Sequence, residues 1–276
     1  MKDWNVEIGA SIGHYKNEVT ELPDGDYTSS VYGDNNIITA VGGPVAQFYG
    51  YKTAGIFSTD AEAKAAGKGG YLYMQDNAGI HHDFKAGDVH FVDLNGDGVI
   101  NEADKTVIGD PNPDIYGNIF ASVNWKNLRL DVGFNYSLGN DVYNYQRSIL
   151  NSGSTFYNQQ VSEVGRWRYE GQQATLPRVA YGDPMQNNRF SDRWIEDGSY
   201  LRLKTVKLTY RIPVPGSWTW LQGMSVWAEG QNLLTFTKYL GSDPEFSAGN
   251  SVLYQGIDMG NLAHSRSVSM GVKINL

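Results

Sequence analysis

The chain has 276 residues, no cysteine and a formal net charge of -8 at pH 7. The absence of cysteine excludes disulfide bonds and thiolate metal sites in these residues. The acidic balance, without a basic cluster, argues against a nucleic-acid partner. Only 41% of the residues are hydrophobic, and no run reaches the roughly 18 apolar residues that a membrane-spanning helix needs. A membrane β-barrel is compatible with this composition, because its strands are only half apolar.

The first predicted element is a strand over residues 3–14. Its apolar residues alternate with polar or small ones, so one face is apolar and the other polar. The apolar members are Trp4, Val6, Ile8, Ala10 and Ile12. No charged segment with an apolar core precedes this strand, so no secretory signal is visible. We therefore expect the chain to be a piece of a longer exported protein, or one half of a split one.

Five further strands with the same alternation are predicted near residues 116–125, 128–138, 200–211, 224–236 and 267–276. Short links at residues 126–127 and 213–223 alternate with long ones at residues 15–115, 139–199 and 237–266. Bacterial outer-membrane barrels have short periplasmic turns and long extracellular loops. The long links are therefore predicted to be extracellular loops.

The first long link is rich in Gly, Asp, Asn and Tyr, which is typical of an extended surface loop. Within it, Thr59 and Glu62 have the spacing of a capping box. This spacing predicts a short helix that ends near Gly67.

Two architectures fit the strand pattern, a membrane barrel and a soluble β-sandwich. The strands are longer than the usual length of about 5–6 residues, and aromatic residues gather at their ends, as interfacial girdles require. These aromatic residues are Trp4, Trp125, Tyr136, Tyr200, Tyr210, Trp218, Trp220 and Tyr239. Six strands cannot close a lipid-facing barrel, since the smallest have about eight. An all-β part of a larger transmembrane barrel is therefore predicted, with the sandwich as the alternative.

Residues 93–104 match the spacing of a calcium-binding loop. The predicted oxygen ligands, in loop order, are Asp93, Asn95, Asp97, the carbonyl of Val99, Asn101 and Asp104. Gly98 supplies the sharp turn, and Ile100 is predicted to anchor the loop on apolar neighbours. The alternative is an Asp/Asn/Gly-rich turn without an ion. Bound calcium is predicted to be structural, because no flanking helix pair is visible that would open and close.

Two further groups are weaker candidates. His81, His82, Asp83 and His90 form a potential metal cluster, for which solvated loop side chains are the alternative. Residues 163–170 mix aromatic and charged side chains, as either a sugar- or peptide-contacting surface or a charged solvated loop. No nucleophile, metalloprotease or phosphate-loop motif is found, so no enzymatic activity is predicted.

Two sets of short sequence blocks carry a family resemblance. The first set is Gly42-Gly43-Pro44-Val45, Phe48-Tyr49-Gly50-Tyr51, Gly55-Ile56-Phe57 and Gly87-Asp88-Val89-His90-Phe91-Val92, which runs into the calcium-type loop. The second set is Asp197-Gly198-Ser199-Tyr200-Leu201-Arg202-Leu203-Lys204, Gln231-Asn232-Leu233, Phe236-Thr237-Lys238-Tyr239, Asp243-Pro244-Glu245 and Gly256-Ile257-Asp258-Met259-Gly260. In this order the blocks resemble the C-terminal part of SusC/RagA-type TonB-dependent transporters of Bacteroidetes.

The resemblance implies the last six antiparallel strands of a barrel of about 22 strands with a plugged lumen. The plug domain, the other strands and the segment that contacts TonB would belong to an N-terminal part absent from this chain. The family implies an importer in the outer membrane and in contact with its lipid. It would take up oligosaccharides or oligopeptides, with a SusD-like surface lipoprotein as lid, and calcium would stiffen the largest extracellular loop.

The alternative function is a secreted, calcium-stabilised β-module that binds glycans or proteins. A membrane-embedded hydrolase is a third hypothesis, but no activated nucleophile beside a histidine is evident. The first two hypotheses differ in where the protein is found, because only the transporter needs detergent for extraction.

Overall fold

The computed structural model of the protein describes residues 3–32, 34–67 and 69–276. Its main feature is a six-stranded antiparallel sheet, in which the spatial order of the strands follows their order in the chain. The strands are β1 (Trp4–Gly13), β2 (Ile115–Trp125), β3 (Leu128–Leu138), β4 (Tyr200–Ile212), β5 (Gly223–Thr237) and β6 (Ser267–Asn275). The predicted all-β fold with six antiparallel strands is confirmed, and each strand end lies within one residue of its predicted position.

The long links leave one end of the sheet and the short links leave the other. Gly13 at the end of β1 pairs with Tyr116 at the start of β2, and Thr237 at the end of β5 pairs with Tyr200. At the opposite end, Trp125 stacks on the ring of Trp4 with centroids 5.5 Å apart. The antiparallel order therefore gathers the three long links at one end of the sheet.

The strand register brings apolar residues of all six strands to one face. The row through Val6 continues across the sheet as Val123, Leu130, Leu208, Ala228 and Met270. Side chains of this face are not covered by another layer of the described residues, since Ile8 is 73% exposed and Met270 is 80% exposed. The predicted alternation thus yields an uncovered apolar face, unlike the inner face of a β-sandwich.

The opposite face carries polar side chains in matching rows. The row through Glu7 continues as Ser122, Asp131, Lys207, Glu229 and Ser269. Arg129 Nη2 lies 2.8 Å from an Asp131 carboxylate oxygen, and Lys207 Nζ lies 3.3 Å from Glu229. Charges on this face therefore compensate one another, within β3 for the first pair and between β4 and β5 for the second.

A bulge at Lys204 keeps the two faces continuous along β4. Leu201 and Leu203 precede the bulge, whereas Val206 follows it, so the apolar alternation changes phase in between. In the pairing of β3 with β4, the adjacent residues Phe134 and Gly133 pair with Leu203 and Thr205, so Lys204 is one extra residue in β4. Because one extra residue reverses the side-chain alternation, the apolar residues before and after the bulge share one face.

β1 and β6 are the two edges of the sheet. Within the described part of the chain, β1 pairs only with β2 and β6 only with β5, so the sheet is open. An edge strand presents a row of main-chain N–H and C=O groups without a strand partner. No helix among the described residues is long and apolar enough to cross a membrane.

The three long links fold into a second layer, which we call the loop layer (residues 14–114, 139–199 and 238–266). Its four-stranded sheet has the order Lys105–Gly109, Gln47–Tyr51, Asp34–Thr39 and Tyr27–Val31. Smaller sheets place Tyr73–Gln75 between His81–Asp83 and Val99–Ile100, place Asp141–Asn144 between Ile195–Asp197 and Ile257–Asp258, and pair Thr53–Ile56 with Val89–Phe91. The helices are α1 (Asp60–Ala65), α2 (Tyr145–Leu150) and the 3-10 helices Glu102–Asp104, Val161–Gly165, Asp192–Trp194 and Val252–Tyr254.

The predicted helix of the first long link is α1. The Thr59 hydroxyl caps it by accepting a hydrogen bond from the main-chain N–H of Glu62 at 3.1 Å. A side-chain oxygen at this position satisfies one of the free N–H groups of the first turn, so this local prediction is confirmed.

The loop layer contains two hydrophobic cores. The first comprises Tyr51, Phe57, Ala63, Leu72, Met74, Phe84, Val89, Phe91 and Ile100 of the first link with Met185 of the second. The second joins all three links through Val31, Ile37, Ala46, Phe48, Tyr143, Phe190, Trp194 and Ile257. The prediction of an extended surface loop for residues 15–115 is therefore wrong. Aromatic and aliphatic residues dispersed in that link make a core only when the links meet in space.

Candidate functional site

The calcium-type loop lies between two strands of the loop layer. It follows Val89–Phe91, passes through the short strand Val99–Ile100 and ends in a 3-10 turn before Lys105. Ile100 is fully buried in the first hydrophobic core, as its predicted anchoring role requires. The loop is thus fixed at its centre by packing.

The backbone of the loop is organised by its own acidic side chains. The Asp93 carboxylate accepts hydrogen bonds from the N–H groups of Gly96 at 2.7 Å and Gly98 at 2.8 Å. Both glycines have the left-handed backbone that favours this residue type, with φ of 75° and 83°. The buried Asp104 carboxylate accepts from the N–H groups of Leu94 and Asn101, each at 2.9 Å. These hydrogen bonds hold the loop in a compact turn, and they are made by residues that the sequence predicted as calcium ligands.

The remaining predicted ligands also bond within the loop. Asp97 Oδ1 accepts from the Val99 N–H at 2.8 Å, and the Asn95 amide donates to the other Asp97 oxygen at 3.0 Å. Asn101 Oδ1 accepts from the Ala103 N–H at 2.8 Å. The three carboxylates of the loop are not among the described acidic groups whose ligand oxygens converge within 4.8 Å. The residue types suit calcium, and binding by this loop stays a prediction.

The histidine cluster that the sequence suggested is not assembled. His82 Nε2 lies 2.9 Å from an Asp76 carboxylate oxygen, whereas His90 stacks on Phe57 with ring centroids 4.4 Å apart. Burial lowers the pKa of His90, which favours the neutral ring. His81, in turn, stacks on Tyr73. Each ring has its own partner, and the described histidines here do not form a metal cluster with Asp83.

Residues 163–170 are mostly exposed, but Glu163 is buried and Arg166 and Trp167 are half-buried. Trp167 packs against Gly87, where an added Cβ would lie 2.5 Å from the indole ring, and its indole N–H donates to the Ser58 carbonyl. Glu163 is buried, and this burial raises the pKa of its carboxyl despite the nearby Arg166. Tyr169 is exposed. This segment thus connects the second link to the first rather than forming one continuous aromatic surface.

The acidic and histidine side chains that do converge within 4.8 Å, among the described residues, are Asp243, Glu245 and His264. Asp243 accepts a hydrogen bond from Arg202, and Arg202 Nη1 lies 3.0 Å from Glu245 Oε2. His264 lies with Nδ1 2.8 Å from Asp243 Oδ2. Because the guanidinium already contacts both carboxylates, it supplies the positive charge that a metal ion would bring. We call these four residues the arginine clamp.

The arginine clamp ties the third long link to strand β4. Arg202 is 1% exposed, and Asp243 is also buried. Although burial raises the pKa of the Asp243 carboxyl, hydrogen bonds from Glu245 N–H, His264 and Arg202 hold this pKa below its usual value. Sequence reasoning did not predict this contact, although Arg202 and Asp243-Pro244-Glu245 both lie in blocks that carry the resemblance.

Other buried polar contacts join the first and second links. The fully buried Asp88 carboxylate accepts from Arg178 Nε at 2.8 Å and from the Asn187 amide at 3.0 Å. Thr53 donates to Asp192 at 2.6 Å. Buried charges of this kind are stable only when paired. The loop layer is therefore a connected structure at one end of the sheet.

The comparisons with known proteins agree with the resemblance seen in the sequence, although no family model matches the chain. Over 99% of its length, the chain is 30% identical to TonB-dependent receptor P3 of Formosa agariphila and covers 27% of that protein. Over 90% of its length, it is 25% identical to TonB-dependent receptor SusC of Bacteroides thetaiotaomicron and covers 23% of it. The chain spans about a quarter of the length of these curated relatives.

Solved structures show the same fold. The chain aligns over 99% of its length with the RagAB peptide transporter, with a TM-score of 0.72, 24% identity and 27% coverage of that chain. With the RagAB peptide importer in the open-open state, it aligns over 100% of its length, with a TM-score of 0.73, 24% identity and 27% coverage. By sequence over its whole length, the chain is therefore related to part of the SusC-type TonB-dependent receptors, as its own residues had indicated.

Proposed function

We propose that the chain forms part of the wall of a TonB-dependent nutrient importer in the outer membrane. The observation that carries this proposal is the uncovered apolar face of the six-stranded sheet in a chain related to TonB-dependent receptors. Water is an unfavourable neighbour for a continuous apolar face, whereas lipid hydrocarbon covers it without cost. A secreted soluble β-module would leave this face without a cover.

In the proposed arrangement, the polar face lines the lumen of the barrel. The ion pairs of Arg129 with Asp131 and of Lys207 with Glu229 would then face water or a plug domain instead of lipid. The long links would be extracellular and the short links periplasmic. The open edges of β1 and β6 would pair with further strands, which the rest of the protein would supply together with the plug and the TonB-contacting segment.

The loop layer is proposed to border the external vestibule and to contact a SusD-like lipoprotein that acts as lid. Its two cores and buried ion pairs give it the rigidity that such a docking surface needs. The structural neighbour is a peptide transporter, and the relatives are receptors rather than enzymes. We therefore propose uptake of oligosaccharides or oligopeptides and no catalytic role.

For the calcium-type loop we propose one structural Ca²⁺, held by the side chains of Asp93, Asn95, Asp97, Asn101 and Asp104 with the carbonyl of Val99. The turn already has its two left-handed glycines and its buried anchor, and an ion would draw its carboxylates together and neutralise them. Thermal unfolding of the full-length protein with calcium and with a chelator tests this. A lower Tm in chelator supports the ion, and an unchanged Tm contradicts it.

Cell fractionation and uptake together test the importer. The full-length protein is expected in the outer-membrane fraction, resistant to an alkaline wash and extracted only by detergent. Disruption of its gene, or of TonB, is expected to abolish uptake of the same labelled oligosaccharide or peptide. Recovery of the protein in the medium or in the periplasmic soluble fraction would contradict the proposal.

A further inference from the structure

We propose that three rings of the loop layer, the exposed Tyr71 and His81 and the half-buried Tyr73, form a binding platform for uncharged oligosaccharides. We call these rings the ring ladder. This inference rests on the proposed function and deepens it, because it selects one ligand class for the loop layer. The Tyr71 and Tyr73 rings are almost parallel, at 7° with centroids 6.2 Å apart. His81 continues the row at 24° and 5.7 Å from Tyr73.

The backbone, rather than side-chain packing, holds the ladder in place. Alternate residues of an extended segment project to the same side, which sets Tyr71 beside Tyr73. The Tyr73 N–H donates to the Gly98 carbonyl at 2.9 Å, and Tyr73 pairs across to Asp83 on the neighbouring strand. Tyr71 is nevertheless 65% exposed. An ordered row of aromatic rings that is partly open to water is a costly surface, and a ligand that stacks on it would relieve this cost.

Two clefts border the ladder. A cleft of about 620 Å³ is lined by Tyr71 and Tyr73 together with Asp60, Lys64, Asp83 and Lys85. A cleft of about 360 Å³ is lined by the three ladder rings with Asp97, Gly98 and Val99. These volumes lie at or within the range of about 300–1,000 Å³ that is usual for ligand sites. Both clefts beside the ladder therefore have room for a ligand.

The charged groups of the larger cleft have no charged partner, although one Asp60 carboxylate oxygen accepts a hydrogen bond from the Ala86 N–H at 2.8 Å. Within the described part of the chain, none of Asp60, Lys64, Asp83 and Lys85 takes part in an ion pair. Two carboxylates and two ammonium groups cancel in net charge, so the cleft has no preference for a ligand of either sign. Hydroxyl groups can donate to the carboxylates and accept from the ammonium groups. Aliphatic C–H groups of a sugar ring suit the negative face of a tyrosine ring.

A peptide fits this site less well. Extended peptides commonly bind by adding a strand to a free sheet edge. The strand Tyr73–Gln75 that carries the ladder is the central strand of its sheet, between His81–Asp83 and Val99–Ile100, so it offers no edge. A ligand at the ladder must therefore be bound by the faces of the rings and by the polar end groups of side chains. Sugars, which combine ring C–H groups with hydroxyl groups, suit this mode of binding.

Titration calorimetry on the full-length protein in detergent tests the proposal. The probes are uncharged hexasaccharides with glucose, galactose, mannose and xylose backbones, and uncharged hexapeptides. We expect at least one hexasaccharide to bind. The double variant Tyr71→Ala/Tyr73→Ala should lose about tenfold or more in affinity, the scale found for aromatic stacking platforms. The matched variant Tyr71→Phe/Tyr73→Phe keeps the rings and should stay within about threefold of the wild type.

Two controls separate binding from folding. Tyr157→Ala removes an exposed tyrosine that lines neither cleft and should leave the affinity unchanged. If the Tm of the double alanine variant is unchanged, a loss of affinity is not caused by unfolding. If this variant unfolds, the single variant Tyr71→Ala is used in its place.

Three results would overturn the proposal. They are binding of none of the hexasaccharides, binding that is insensitive to the alanine variant, and binding of peptides alone. None of these results contradicts the proposed importer function, which is tested separately by membrane location and TonB-dependent uptake. Loss of outer-membrane location with intact sugar binding would contradict the importer and leave the ring ladder standing.

Discussion

The arginine clamp provides the sharpest test of how the loop layer is held to the sheet. The perturbation is Arg202→Met, which keeps most of the side-chain length and removes the guanidinium. Arg202 is 1% exposed, and it contacts the carboxylates of Asp243 and Glu245. The substitution leaves these two carboxylates without their main positive partner.

The expected loss of stability follows from the burial of the ion pair between Arg202 and Asp243. Removing one partner of a buried ion pair costs about 3–5 kcal/mol, because the other charge stays buried without compensation. Asp243 keeps its hydrogen bonds from His264 and from main-chain N–H groups, so we expect the lower limit of about 3 kcal/mol. Since each 1.4 kcal/mol is about a factor of ten, the open state of the third long link should become about 100-fold more populated.

Limited proteolysis of the full-length protein in detergent measures this opening. When opening and closing are fast relative to cleavage, the cleavage rate follows the population of the open form. We expect cleavage within residues 238–266 to be about 100-fold faster in the variant. The control is Lys207→Met, which breaks a pair whose side chains are 36% and 17% exposed. That pair contributes about 1 kcal/mol of stability at most, so its loss should raise the cleavage rate by no more than about fivefold.

A cleavage rate for Arg202→Met within about twofold of the wild type would refute the reasoning. It would show that the third link is held by its packing alone. The double variant Arg202→Met/Asp243→Leu adds a second criterion, because replacing both charged partners by apolar residues is often neutral. We therefore expect the double variant to be cleaved more slowly than Arg202→Met.

Three further predictions concern the sheet, pH and the first core. Met270→Arg places a charge on the apolar face and should lower the free energy of unfolding by about 2–4 kcal/mol, measured by urea unfolding in lipid vesicles. Ser269→Arg on the polar face should lower it by less than about 1 kcal/mol. Equal losses for the two variants would contradict a lipid-facing apolar side. Because the pKa of Asp243 is held below its usual value, its stabilisation is present above about pH 3.9 and is lost as the pH falls through the folded pKa. Cleavage of the third link by an acid-active protease should therefore accelerate below about pH 4, and Asp243→Asn should flatten this dependence. Ile100→Ala removes a fully buried side chain and should cost about 2–5 kcal/mol, seen as a lower Tm than that of the exposed control Leu94→Ala.

The strands of the sheet were predictable because their signal is local. Alternation with a period of two needs only a run of about ten residues, and a membrane strand has this length. The bulge at Lys204 was not predicted, although the apolar alternation changes phase between Leu203 and Val206. The helix cap at Thr59 depended on residues three positions apart. Each of these features is encoded by neighbours in the chain.

The loop layer was not predictable in the same way. Arg178 and Asp88 are separated by 90 residues, and Arg202 and Asp243 by 41. No periodic pattern connects such pairs, and a loop-like composition concealed the buried aromatic residues of the first link. The calcium-type spacing of residues 93–104 was recognisable, but whether its carboxylates converge depends on the backbone of the folded turn.

The sequence by itself therefore determined the six strands, their apolar and polar faces and the relation to TonB-dependent receptors, because alternation and short motifs are properties of contiguous residues. Only the tertiary structure decided that the long links form a packed layer, that Arg202 clamps the third link, and that Tyr71, Tyr73 and His81 stand in one row. The physical reason is that burial and charge compensation act between groups that meet in space, and loop closure brings together residues that sequence patterns keep apart.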